Sequence, residues 1–177
     1  MYPVIRLAKE LLIHRNAPRL GLFDSHVSQH ICWPWDIDVW MELNNGRTLT
    51  LYDFGRMVLF QRTGVIGVMR ARRWAGTVAG SSVRYRRRVR MFHRVEMRTR
   101  IVGWDARFLY IEQSMWREGE CTSQALLRNA VTGAGQGMIP MAEVAQAMGV
   151  DPVSPALPAW VQAWIAAEAQ RPWPPAA

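Results

Sequence analysis

A chain of 177 residues, half of them hydrophobic, is long enough to bury a substantial core as one domain, and that composition excludes wholesale disorder. Its net charge of +8 rests on 22 basic residues, of which only Lys9 is a lysine, and implies an acidic partner or an anionic surface without naming one. Two cysteines, Cys32 and Cys121, are too few for a disulfide framework or a metal cluster and read as small buried hydrophobes in a reducing compartment. No run approaches the ~20 apolar residues of a membrane span, and the first residues lack a secretory signal, so a cytoplasmic protein is expected.

Residues 4–15, VIRLAKELLIHR, read as an amphipathic helix with Val4, Leu7, Leu11 and Leu12 on one face and Arg6, Lys9, Glu10 and Arg15 around the rest. Such a helix docks on the body of the protein or a partner subunit, with weak membrane-surface contact as the alternative. Residues 22–40 are strand-like, with Phe23, His26, Val27, Ile31, Trp33, Trp35, Ile37 and Val39, but Pro34 calls for an edge position, a bulge or a break. His26 and His30 would point the same way on a strand, about four rises apart, and no metal site is expected there.

The stretch that organises the chain is Asp36 to Gly64, DIDVWMELNNGRTLTLYDFGRMVLFQRTG. Asn44 is a strong helix N-cap, and Gly64 suits a left-handed C-cap. Between them Leu49, Leu51, Tyr52, Phe54, Met57, Val58, Leu59 and Phe60 cover most of the circumference, which predicts a helix buried on nearly every side. Asp53 and Arg56, three apart, are placed to pair. Val65 to Arg73 reads as a short connection. Four strand-like runs follow, at 76–89, 92–104, 107–116 and 121–131, separated by turn signals such as Gly103-Trp104-Asp105. Their alternation predicts an antiparallel meander with one face buried. On the first run, Arg84, Arg86, Arg88 and Arg90 would form a ladder on one face. The tail reads as a helix at 140–148 stopped by Gly149, a stiff segment with Pro152, Pro155 and Pro158, a helix with an apolar stripe of Trp160, Val161, Trp164 and Ile165, and frayed residues 171–177.

One long helix after a first strand, wrapped by a curved antiparallel sheet, is an α+β hotdog arrangement. The expected organisation is an N-terminal amphipathic helix in residues 1–20, the hotdog domain in 21–150, and a Pro-rich connection with a capping helix in 151–177.

Asp36-Ile-Asp38 followed by Asn44-Asn45-Gly46-Arg47 resembles the D-x-D…G-H-x-N-N-x-x-Y signature of the 4-hydroxybenzoyl-CoA-thioesterase-type hotdog proteins. LNNGRTLTLYDFGR, VRYRRRVRMFHRVEMRTRIVGWDARFLYIE and LPAWVQAWI are similar to the subgroup called thioesterase superfamily member six. The resemblance implies hydrolysis of an acyl-CoA or acyl-carrier-protein thioester by a homodimer, which could pair further into a tetramer, without a cofactor. It places the catalytic acid on Asp38, with Asp36 beside it, and the oxyanion-binding helix opening on Asn44, Asn45 and Gly46. Where the pattern has Gly-His the chain has Met41-Glu42, and Thr48 stands in place of Tyr, so Glu42 and Thr48 join the substrate-binding candidates. Ser81, Ser82, Arg86, Arg87 and Arg88 are the candidates for the coenzyme A phosphates.

The chemistry needs an activated nucleophile and a stabilised oxyanion. A helix N-terminus offers free N–H donors and about half a positive charge, and one such donor is worth roughly 10²–10³ in rate. Asp36, Asp38 and Glu42 close together would repel one another, leaving one able to hold a proton. The plain alternative has Asp36 facing solvent and Asp38 holding a turn. Asp53 is a rival acid, with an ion pair to Arg56 as its structural role. Met57, Phe60 and Trp40 are candidate walls of an acyl slot or plain core. Two other functions fit the same residues: a non-catalytic acyl-CoA-binding or scaffold protein, and a polyanion-binding module using the arginine ladder.

Overall fold

The computed structural model describes residues 3–175. Six strands form one antiparallel sheet: β1 (His26–Ile31), β2 (Trp74–Tyr85), β3 (Arg94–Trp104), β4 (Leu109–Arg117), β5 (Glu120–Gly133) and β6 (Gly137–Ile139). The order is β1-β3-β4-β5-β2, with β6 added to the end of β5. The sheet curls around α2 (Asn45–Arg62), flanked by α1 (Val4–Ile13), α3 (Val65–Arg72), α4 (Met141–Ala147) and α5 (Ala159–Gln170). This is the hotdog arrangement.

Asn44 caps α2 as its residue type predicts, with Oδ1 accepting from the amides of Gly46 at 2.9 Å and Arg47 at 3.2 Å. Gly64 follows with φ 84°, a left-handed conformation that a side chain would strain. Past its first turn, no residue of α2 is fully exposed. The helix touches the sheet most closely at Gly55, where a Cβ would lie 2.6 Å from Thr99 Oγ1 and 2.8 Å from Met97 Cε. Beside that contact Gln113, fully buried, donates from Nε2 to the Tyr52 carbonyl at 2.6 Å and to Thr99 Oγ1 at 2.9 Å. On the sheet's other face α5 seats Val161 against Val102, Tyr110 and Leu126.

Several local expectations change. Strand β1 covers only His26–Ile31, and a 3-10 turn at Pro34–Asp36 replaces its predicted continuation, because Pro34 breaks the ladder. Val65–Arg72 is a helix rather than a connection. Of the four predicted runs only β3, β4 and β5 form a meander; β2 crosses to the far side and pairs with β5. Strand β2 stops at Tyr85, and the amides of Arg86 and Arg87 both donate to the Thr122 carbonyl, so the residues from 86 onward form no strand ladder. Helix α1 turns Arg6, Leu7, Glu10 and Leu11 toward the body, while Val4 and Leu12 face outward. Met1, Tyr2, Ala176 and Ala177, parts of the predicted terminal segments, lie outside the described residues.

His26 and His30 share the buried face of β1, as period-two alternation requires. Burial, with His14 and Arg62 adding to it, pulls His26 down to about 3; burial, with Arg6 and Lys9, pulls His30 down to about 4. Arg62 donates to His26 Nδ1 at 3.1 Å, and the His14 ring packs edge-on at 4.8 Å.

Two predictions follow from the packing. Replacing Gly55 with Ala gains about 1 kcal/mol of helix propensity. It also forces a Cβ into the Thr99 hydroxyl, and overpacking costs about 1–3 kcal/mol, so Gly55→Ala is expected to lower the urea midpoint. The unfolded histidines take up protons near pH ~6.5, while the folded ones resist until about 3–4. Stability is therefore full above that unfolded value and is expected to fall by on the order of a few kcal/mol as pH drops from about 7 to about 4. Melting temperatures across that range would show the slope, and His26→Asn should flatten it.

Candidate active site at the amino terminus of α2

The approach to α2 is a turn closed by its own side chain. The Asp38 amide donates to the Glu42 carbonyl at 2.9 Å, and Asp38 Oδ1 accepts from the Trp40 amide at 2.9 Å and the Glu42 amide at 3.5 Å. Met41 takes φ 59°, so the position where the signature has Gly is a left-handed one, here carried by a side chain that projects into solvent. Ile37 and Leu43 bridge across the base of the loop, and the Leu43 amide donates to the Val89 carbonyl at 2.7 Å. The tip, Val39-Trp40-Met41, is exposed, so Trp40 lines no slot.

Asp36 does not open on solvent. It is 1% exposed, and Arg6 Nη1 lies 2.9 and 2.7 Å from its two oxygens, while Arg6 Nη2 donates to the Ile31 carbonyl at 3.2 Å. The Trp33 amide donates to the same carboxylate at 3.0 Å, and Arg47 Nε stands 4.0 Å away. The Asn44 amide donates to the Asp36 carbonyl at 2.9 Å, so this buried pair fixes the start of α2.

Between that helix start and the end of β2 lies a recess of about 230 Å³ lined by Glu42, Asn45, Thr48, Tyr85, Arg86, Arg87, Arg88 and Ser123, among others. Of the three clustered carboxylates, Glu42 is the one that lines it. Arg88 Nε is 2.9 Å from Glu42 Oε2, an ion pair without hydrogen-bond geometry, so that buried oxygen retains its accepting capacity. Arg87 pairs with Glu120. Thr48 is buried, with its amide 2.8 Å and its hydroxyl 3.2 Å from the Asn44 carbonyl. Behind the lining residue Ser123, whose Oγ is 2.8 Å from Tyr52 Oη, burial raises the Tyr52 phenol above its ordinary value. Because Asn44 Oδ1 takes the Gly46 and Arg47 amides, the Asn45 amide is the first-turn donor that this cap leaves alone. The mutual repulsion expected of the carboxylates is offset by Arg6 at Asp36 and Arg88 at Glu42.

Residues 32–165 match the Thioesterase-like superfamily. The chain belongs to that superfamily. Within the Thioesterase-like superfamily it is similar to the protein THEM6 of Xenopus laevis, 36% identical over 92 residues, which are 52% of this chain and 44% of that protein. It is 31% identical to THEM6 of Danio rerio over 107 residues, 59% of this chain and 53% of that one. The chain thus spans about half the length of the curated relatives it matches. Among solved structures it resembles YbaW, a probable thioesterase from Escherichia coli, with a TM-score of 0.65 and 17% identity over 69% of this chain and 95% of that one. It also resembles Slr0204, a 1,4-dihydroxy-2-naphthoyl-CoA thioesterase from Synechocystis, with a TM-score of 0.61 and 8% identity over 71% of this chain and 95% of that one. At these identities the likeness is one of fold.

The structure brings Glu42, Asn45, Thr48 and Arg86–Arg88 together around one recess, whose lining does not include Asp36, paired with Arg6, or Asp38, bonded to amides of its own turn. Ser81 and Ser82 lie apart: Ser82 in a cleft with Gln124 and Trp164, Ser81 in one with Phe108 and Arg128. Sequence reasoning missed the Arg6–Asp36 pair, the Tyr52–Ser123 contact and the Arg88–Glu42 pair; their partners lie 30, 71 and 46 positions apart, with no local signal to join them. Removing Arg6 leaves a buried carboxylate short of its cation, and breaking such a pair costs about 3–5 kcal/mol. Arg6→Ala is therefore expected to destabilise far more than Arg15→Ala, as chemical denaturation of the two variants would show.

Proposed function

We propose that this chain hydrolyses an acyl-CoA or acyl-carrier-protein thioester in the recess at the start of α2. The observation that carries the reading is the convergence of Glu42, the first turn of α2 and Arg86–Arg88 on one recess. Glu42 is the base that activates water, and Asp38 holds the turn that presents it. The Asn45 amide and the positive end of the helix receive the developing oxyanion. The three arginines take the phosphates of the carrier, which guanidinium groups bind in paired hydrogen bonds.

The working unit in this reading is a homodimer. Strand β2 is twelve residues long, largely exposed, and stands at the edge of the sheet with one side unpaired by any other described strand. A long free edge is a template for a second strand. A second copy joined there would continue the sheet.

A panel of acyl-CoA thioesters, followed by release of free thiol, tests the activity. Hydrolysis is expected, and Glu42→Gln should lower kcat by about 10²–10⁴. Asp38→Ala should lower it through the turn, whereas Asp38→Asn, which retains the Oδ1 acceptor, should recover most of it. An Asp38→Asn variant as inactive as Glu42→Gln would move the base to Asp38. Absence of thiol release across the panel, with coenzyme A still raising the melting temperature, would instead support the acyl-CoA-binding reading, which Glu42 and Thr48 favour as departures from the signature.

A further inference from the structure

A second cavity, of about 310 Å³, lies at the other end of α2, enclosed by α2, α3, α4 and the concave face of the sheet. Its walls are apolar, with Met57, Phe60, Trp74, Trp104 and Met141 among them, and their thioethers adapt to flexible ligands. At about 30 Å³ per non-hydrogen atom, the value for liquid water, it has room for about ten such atoms. The Asp53–Arg56 pair, Arg70 and Thr77 also line it, and among its described polar side chains Asn129 is the one with a buried atom lacking a hydrogen-bond partner. Asn129 is 7% exposed, lines the cavity, and its Nδ2 has no hydrogen-bond partner. A buried donor left unpaired forfeits its hydration with nothing in return, so a ligand that supplies an acceptor gains by meeting it. A mainly apolar cavity with a single buried unsatisfied donor fits a ligand whose apolar body carries one acceptor oxygen.

We infer that this cavity is the acyl slot, and that it selects a medium-length aliphatic acyl group carrying one hydroxyl or keto oxygen, read by Asn129. The inference rests on the thioesterase reading for the identity of the ligand as an acyl group. Thr77 and Val78, which line the cavity, and Tyr85, which lines the recess, are seven or eight residues apart along β2, about 23–26 Å at ~3.3 Å per residue. Within one chain that distance separates the slot from the thioester. Antiparallel pairing of two β2 edges about a two-fold axis sets the Trp74 end of one copy beside the Tyr85 end of the other, so each slot serves the recess of the second copy.

The test measures binding without turnover. The 177-residue chain is titrated with free fatty acids of about eight carbons, with and without one hydroxyl walked along the chain, following the fluorescence of tryptophans that include Trp74 and Trp104 in the cavity wall. At least one hydroxylated isomer is expected to bind about tenfold or more tighter than the plain acid. Asn129→Leu should abolish or reverse that preference, and Ala145→Phe, which fills the slot, should weaken both acids while the far-ultraviolet spectrum stays that of the parent. Equal binding of all the acids, a preference that survives Asn129→Leu, or acids that bind Ala145→Phe unchanged would each overturn the inference. Selective binding without thiol release in the acyl-CoA panel would sink the hydrolase reading and leave the slot; thiol release without oxygen selectivity would do the reverse.

Discussion

The height at which α2 lies in the curl of the sheet is set at one point, the contact of Gly55 with Thr99. A side chain at position 55 would push the helix outward. With none there, Gln113 reaches the Tyr52 carbonyl, and Arg56 Nη1 reaches Gln113 Oε1 at 3.2 Å, so a line of polar groups crosses an otherwise apolar interior. Each member is satisfied, and satisfied buried networks fix one arrangement where apolar contacts alone would tolerate several. The axial position of α2 follows from this belt. The recess at its first turn and the cavity further along both inherit their shape from it.

The same belt divides the helix into two chemically different halves. Toward the start, Asn45, Thr48 and the Arg86–Arg88 segment line a polar, cationic end, the one to which the proposed carrier is assigned. Beyond the belt, Met57 and Phe60 open onto an apolar volume in which Asp53 is held by Arg56, with Oδ1 2.5 Å from Nη2. That ion pair is the structural role expected for Asp53, and it sits at the boundary between the halves. A ligand with a polar head and an apolar body matches this polarity in outline, and the separation along β2 is what calls for two copies in the proposed dimer.

What the sequence made legible was local. The Asn44 cap, the left-handed Gly64, the break at Pro34 and the common face of His26 and His30 each depend on a residue's own backbone preference or on strict alternation, and each stands in the structure. The errors came from interactions between distant segments. Apolar spacing in α1 suggested a face containing Val4 and Leu12, but Asp36, buried in the 3-10 turn, draws Arg6 inward and rotates the helix. No periodicity contains that information. Alternation placed the arginines on one strand, yet two successive amides, of Arg86 and Arg87, share the Thr122 carbonyl and end the alternation there. Helix α3 was hidden because VIGVMRAR is short, apolar at its start and interrupted by Gly67.

The site shows the same limit in sharper form. The D-x-D motif read as a pair of candidate acids, but the two side chains are fixed by different partners, Asp36 by Arg6 and Asp38 by the amides of its own turn. Asp36 thereby anchors the start of α2, and Asp38 bonds within the loop that leads to Glu42. Replacing Gly by Met41 at the left-handed position keeps the curl at the cost of backbone strain, of order 1–2 kcal/mol for a residue with a Cβ. Replacing His by Glu42 puts a negative group where Arg88 can meet it. The second change makes sense beside the arginine segment, because a carboxylate left alone at that buried oxygen would be desolvated without compensation. Loop, cation and carboxylate form one unit, in which the carboxylate at position 42 has its counter-charge in the arginine at position 88.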